Sequence, residues 1–149
     1  MDNANDLLAQ EYAALQKTVE DFDARSLTIK AWSVTFSAAG LGLAYQQHNR
    51  ILLLVAAGSA LVFWIVESMW KVNQQAFYRR IRQIEIHFRG GRQTAPLQTA
   101  TSWFEAFRNQ GKYRLALRIM WWPHVFLPHV IVIAAGIALF WLYPPAAAS

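Results

Sequence analysis

The chain has 149 residues, of which 55% are hydrophobic and 15% are charged, with a formal charge of +5. Soluble domains carry about 25% charged residues, so this composition argues against a soluble globular domain and favours an integral membrane protein. Cysteine is absent, which excludes disulfides, thiolate metal sites and cysteine nucleophiles.

The N-terminal residues 1–29 predict a cytoplasmic amphipathic helix. Its apolar residues follow the heptad spacing of a helix–helix seam: Leu8, Tyr12, Leu15, Val19 and Phe22. A stalk helix predicted over 71–89 has the same spacing: Phe77, Ile81, Ile84 and Phe88. Facing pairs such as 8 with 88 and 15 with 81 have numbers that add up to 96, which predicts a two-helix antiparallel stalk. The alternative is that each stripe packs on a partner or lies on a lipid surface.

A transmembrane hairpin is predicted over 30–70, with spans at about 30–47 and 51–70, and a third span over 119–143 precedes an outer tail at 144–149. Each span approaches the roughly 20 residues that a helix needs to cross about 30 Å of hydrocarbon. The expected fold is therefore an all-α integral membrane protein with three transmembrane helices. The first two form a long antiparallel hairpin that extends into the cytoplasmic two-helix stalk.

Charge predicts the orientation of these spans. Residues 71–118 carry ten basic residues and two acidic ones, so they form a basic cytoplasmic region. The N-terminus is then cytoplasmic and the C-terminus lies outside. We also expect Glu20 and Asp21 to lie near Arg79 and Arg80 across the stalk.

Small and hydroxyl residues mark the helix interfaces of the hairpin. One face of the first span carries Ser33, Ser37, Gly40 and Ala44, which suits close helix packing, within one chain or in a homo-oligomer. Together with Thr35, the same serines could instead line a polar pore.

Lys30 and Glu67 are expected at the same membrane depth. They predict either an ion pair that staples the hairpin or, in an oligomer, a ring of Glu67 carboxylates at the inner mouth of a cation pore.

The basic cytoplasmic region offers two contact surfaces. One is a run of arginines that we expect to contact lipid or a protein partner rather than nucleic acid: Arg79, Arg80, Arg82, Arg89 and Arg92. The other is the aromatic face of a short helix predicted at about 102–109, formed by Trp103, Phe104 and Phe107. This face packs on the stalk, inserts into the headgroup region or binds a cytoplasmic partner. Ser102 and Glu105 predict a capping box at the start of that helix.

No catalytic constellation is visible. His124 and His129 are poorly spaced for one helical face, and we expect no carboxylate near them to complete a metal site. The sequence therefore predicts no enzyme, no metal and no cofactor.

The start of the first span, Ile29-Lys30-Ala31-Trp32-Ser33-Val34-Thr35, and the end of the second, Phe63-Trp64-Ile65-Val66-Glu67, resemble a family of small uncharacterised bacterial multi-pass membrane proteins. The wider layout is similar to the two-span membrane effectors called SLATT. These resemblances imply an inner-membrane location and a role as an oligomeric pore-forming or effector subunit in anti-phage defence. The alternative is a non-conducting membrane scaffold or accessory protein that recruits a cytoplasmic partner.

Overall fold

The computed structural model describes residues 2–145, and over that range the chain is helical without any strand. Five helices follow one another in this range: α1 (Asp2–Gln46), α2 (Ile51–Phe88), α3 (Thr99–Asn109), α4 (Lys112–Met120) and α5 (Pro123–Leu142). The all-α prediction is confirmed. Residues 146–149 of the predicted outer tail lie outside the described residues.

The long helices α1 and α2 form a helical hairpin. A short turn joins them, in which His48 has a positive φ of 51° and the Asn49 side chain accepts the Ile51 N–H at 3.0 Å. A side-chain oxygen that accepts one of the first free N–H groups of a helix stabilises its start. Facing pairs whose numbers add up to 96, a mirror spacing, require a turn near residue 48, and the turn lies there.

The chain divides into two compact units. The charged unit comprises Met1–Arg25 and Met69–Leu117, and the apolar unit comprises Ser26–Ser68 and Arg118–Ser149. These boundaries lie close to those that the sequence predicts between the cytoplasmic and membrane segments, and each of the two hairpin helices contributes to both units.

The core of the charged unit is the predicted heptad seam. Five buried residues form it, and Tyr12 and Phe77 pack against them: Leu8, Leu15, Val19, Ile81 and Ile84. Phe88 is 52% exposed and lies outside this core. It is the last residue of α2, and Gly90, with φ +79°, turns the chain immediately afterwards.

The apolar unit is packed through small residues. A Cβ atom on Gly40 would lie 3.0 Å from the Ala56 Cβ, and one on Gly136 would lie 3.0 Å from the Ala57 Cβ. Such small residues let helix backbones approach closely. These contacts join α1 to α2 and α2 to α5.

Two described helices, α2 with 38 residues and α5 with 20, are long and apolar enough to cross a membrane. The sequence predicts a third such helix in α1, but α1 is not one of the two, because its apolar segment alternates with serine, threonine and glycine. The helix predicted over 119–143 is also shorter than expected, because α5 begins at Pro123 and ends at Leu142. Pro123 disfavours the helical conformation at Trp122, which has ψ 132°, so the chain breaks between α4 and α5.

The short helix α3 begins earlier than predicted. Its N-cap is Gln98, without a side-chain capping bond, so the capping box expected at Ser102 is wrong. Instead, the Ser102 hydroxyl lies 3.5 Å from the Gln83 side-chain oxygen. Trp103 Nε1 donates to the Asn73 carbonyl at 3.2 Å, which fixes α3 on α2.

Candidate functional site

A buried carboxylate is the centre of the apolar unit. Glu67 in α2 is 0% exposed and forms an ion pair with Lys30 in α1. Ser26 donates to Glu67 Oε1 at 2.8 Å, and His129 Nε2 in α5 lies 2.9 Å from Oε2. The Ser33 hydroxyl lies 2.8 Å from the other ring nitrogen, Nδ1. We call these five residues the Glu67 network.

The hydrogen bonds define the chemistry of the network. An ionised carboxylate only accepts, so His129 donates from Nε2 to Glu67. The Ser33 hydroxyl and Nδ1 share the second hydrogen bond of the ring. Lys30 provides a counterion for Glu67. Buried charges persist only where they are paired and hydrogen-bonded, and this arrangement fulfils both conditions.

Helical spacing on α1 explains why its side chains converge here. Ser26, Lys30 and Ser33 are four and three residues apart, so they lie on one face of the helix. Lys30 and Glu67 meet as the mirror spacing of the hairpin requires. The sequence thus locates two members of the network at one depth.

His129 is the member that sequence reasoning missed. Its partner is Glu67, 62 positions away in the chain, which accepts its N–H. The available signal was a histidine within an apolar helix, where an unpaired polar group is costly. Nothing in the spacing of His124 and His129 indicates the partner. Among the described residues, no group of three or more candidate ligands could hold a metal ion.

The residues predicted to line a pore or an interface are mostly inside the apolar unit. Ser33, Ser37 and Ala44 are buried, and Gly40 packs on α2. The Ser37 hydroxyl donates to the Ala56 carbonyl at 3.1 Å. Of this predicted set, only Thr35 is exposed. The small-residue face is therefore an interface between helices of the same chain.

A second buried ion pair lies in the charged unit. Arg80, 1% exposed, donates from Nε and Nη2 to the two carboxylate oxygens of Glu11 at 2.9 and 2.8 Å. It also donates to the Thr94 hydroxyl and the Ala95 carbonyl at 2.8 and 2.7 Å. The expected pairing of Arg80 with Glu20 or Asp21 is wrong. A bidentate pair of this geometry is among the strongest ionic contacts in proteins.

Glu11 also fixes the loop between α2 and α3. Its carboxylate accepts the Leu97 N–H at 2.8 Å and the Thr99 hydroxyl at 2.6 Å. Burial opposes ionisation, but the hydrogen bonds from Arg80, Thr99 and Leu97 outweigh it and lower the pKa of Glu11 below 4.5. The other predicted contact arginines are exposed: Arg79, Arg82, Arg89 and Arg92.

With this geometry described, the chain can be compared with known proteins. No family model, curated protein or solved structure matches it. Its function is therefore inferred from its own residues.

The predicted aromatic face is divided between the core and the surface. Trp103 and Phe107 are partly buried with stacked rings 4.9 Å apart, and Trp103 lies 6.0 Å from the Phe77 ring. Phe104 is 58% exposed. Packing on α2 therefore accounts for Trp103, and Phe104 is left available at the surface.

Proposed function

We propose that the protein is a non-conducting scaffold or accessory protein of the bacterial inner membrane, whose charged unit recruits a cytoplasmic partner. The observation that carries this proposal is that the polar residues suited to a pore, apart from Thr35, are enclosed within a single chain. Glu67 is fully buried, and its ionic and hydrogen-bonding partners belong to its own chain. A ring of Glu67 carboxylates would have to abandon these contacts.

The distribution of polarity in the apolar unit supports a membrane location. Its buried side chains include serine, histidine and glutamate, whereas its exposed side chains include large apolar ones: Val34, Phe36, Val55, Val62 and Ile131. Polar groups inside and apolar groups outside suit a helical bundle in hydrocarbon. In water, so much exposed apolar surface would favour aggregation.

The same distribution supports the proposal that α1 crosses the membrane together with α2 and α5. Its serines face α2 and α5, and so hydrocarbon would contact Trp32, Val34 and Phe36 rather than hydroxyl groups. The low apolarity of its sequence is then no barrier to crossing, because the polar groups are shielded by neighbouring helices.

The proposed partner surface is the exposed arginine face of α2. Arg79, Arg82 and Arg89 lie outside the ion pairs found among residues 2–145. By the positive-inside rule these arginines lie in the cytoplasm. Unpaired surface arginines favour an acidic protein surface as the partner.

A pore-forming effector subunit, with a defence role as the resemblance implies, is the second candidate. The observations that favour it are the exposed Thr35 and the exposed Gly42 and Gly58, where an added Cβ would meet nothing within 4 Å. Exposed glycines allow close approach of a second helix. A homo-oligomer assembled through them would leave Thr35 as a polar group for the pore wall.

Ion flux from liposomes separates the two candidates. For a scaffold, we expect reconstituted protein to release no more K⁺ than protein-free liposomes. K⁺ flux through the wild-type protein would contradict the scaffold. It would support the pore if Thr35→Val altered the flux and the control Thr18→Val, outside the predicted spans, did not.

Partner recruitment is tested in cells with a photocrosslinking residue at Ile86, which lies on α2 among the arginines and is 41% exposed. If the protein is a scaffold, we expect one crosslinked adduct of defined mass between it and its partner. The adduct should be absent when the crosslinking residue is placed at Ala13 of α1. The adduct should disappear with Arg82→Glu. Absence of any adduct at Ile86 would contradict recruitment through this face.

A further inference from the structure

The turn between α3 and α4 forms an open groove that the fold leaves unused. It has a volume of about 570 Å³ and is lined by aromatic and basic side chains of the charged unit: Phe104, Phe107, Arg108, Lys112, Tyr113 and Arg114. Gly111, with φ +63°, provides the sharp turn between the helices. We call this surface the α3–α4 groove.

Two of its three cations, Arg108 and Lys112, lie against aromatic rings. The Lys112 ammonium is 5.7 Å from the Phe107 ring centre and 5.4 Å from that of Tyr113. The Arg108 guanidinium is 6.0 Å from the Phe104 ring centre. Across residues 2–145, none of the ion pairs includes a basic residue of this groove. The groove therefore offers positive charge outside the ion pairs of the described residues.

The helix α4 presents apolar surface on the same segment. Tyr113 and Leu117, one helical turn apart, are 72% and 62% exposed, whereas Ala116 is buried. Exposed aromatic and aliphatic residues next to lysine and arginine are typical of a helix that lies in the headgroup region of a membrane. Only Trp121 and Trp122 separate α4 from the apolar helix α5 in the chain.

We propose that the α3–α4 groove binds the headgroups of anionic phospholipids in the cytoplasmic leaflet. The phosphate groups accept from Arg108, Lys112 and Arg114, while Tyr113 and Leu117 insert among the upper acyl carbons. Charge complementarity selects anionic lipid, because each basic residue near such a surface contributes about 1 kcal/mol. This inference rests on the membrane location proposed above.

The absence of native cysteine makes the test direct. Leu117→Cys in the full chain is labelled with an environment-sensitive dye and reconstituted in nanodiscs of phosphatidylcholine, alone or with phosphatidylglycerol. Lipids that carry a quencher near the headgroup report insertion. We expect stronger quenching with phosphatidylglycerol, reduced at least twofold by Lys112→Gln with Arg114→Gln or by high salt.

The control variant removes two positive charges elsewhere, Lys17→Gln with Arg25→Gln, and should keep the full quenching. A dye at Ile131→Cys, on the exposed face of α5, reports insertion of the chain itself when the lipids carry the quencher on the acyl chain. Quenching at Ile131 without selective quenching at Leu117 would overturn the groove proposal alone. Absence of quenching at both positions would overturn the membrane location as well.

Discussion

His129 of α5 lies 2.9 Å from the Glu67 carboxylate of α2, and both side chains are fully buried. Because Lys30 of α1 binds the other oxygen of the same carboxylate, one side chain joins three helices. The network therefore joins the helices of the apolar unit through polar contacts, which suits the membrane location proposed above. In lipid, helix association depends on packing and on polar contacts of this kind.

The first prediction concerns the charge of Glu67. Glu67→Gln keeps the size of the side chain but leaves the Lys30 ammonium without its counterion. Breaking one member of a buried pair costs about 3 kcal/mol, so we expect a clearly lower unfolding temperature in detergent, measured by circular dichroism. Adding Lys30→Met to Glu67→Gln should restore most of the loss. A double variant no more stable than Glu67→Gln would contradict the pairing.

The second prediction compares glycines at matched helical positions. Gly40→Ala and Gly136→Ala place a Cβ 3.0 Å from a neighbouring Cβ, whereas Gly42→Ala and Gly58→Ala meet nothing within 4 Å. Overpacking a tight contact costs about 1–3 kcal/mol, and alanine in an open helical position gains up to about 1 kcal/mol. Thermal unfolding should therefore separate the two pairs. Equal effects at all four positions would disprove close packing.

The sequence predicts the hairpin well because helical periodicity encodes which faces meet. The heptad residues Leu15 and Ile81, whose numbers add up to 96, are both in the core of the charged unit. Lys30 and Glu67 meet for the same reason. Spacing along two antiparallel helices around one turn fixes their register, so local information is enough there.

The contacts that the sequence does not predict involve a third segment in addition to the two helices of the hairpin. Glu11 binds Arg80 together with Leu97 and Thr99 of the returning chain, and His129 reaches Glu67 from α5. Loop conformation and the packing angle of α5 decide these contacts, and neither has a periodic signal. The break before Pro123 was readable, since the residue before proline avoids the helical conformation.

The third prediction separates two adjacent arginines. Arg80 makes four side-chain hydrogen bonds to Glu11, Thr94 and Ala95, while Arg79 is exposed. Lysine cannot reproduce the planar fork of arginine. We expect Arg80→Lys to destabilise the charged unit by about 2 kcal/mol and Arg79→Lys to change it by less than about 0.5 kcal/mol. Protease resistance of the loop after α2 is a suitable measurement, and equal resistance would contradict the buried role of Arg80.

The last prediction concerns acid. The pKa of Glu11 lies below its ordinary value of 4.5, because hydrogen bonds from Arg80, Thr99 and Leu97 outweigh the effect of burial. A lowered folded-state pKa contributes stability that is complete above the unfolded value and is lost as the pH falls through the folded one. The contact between Glu11 and the loop should therefore weaken only below about pH 4.5.

Amide hydrogen exchange of Leu97 reports this loss directly, since its N–H donates to Glu11 at 2.8 Å. After correction for the intrinsic exchange rate, protection of the peptide that contains Leu97 should be constant between pH 7 and 5 and should fall in more acidic solution. Glu11→Gln should lower the protection at neutral pH and remove its acid dependence. The exposed carboxylate Glu105 provides the control, because Glu105→Gln should leave the wild-type profile unchanged. An unaltered profile in Glu11→Gln would show that another carboxyl group controls the loop.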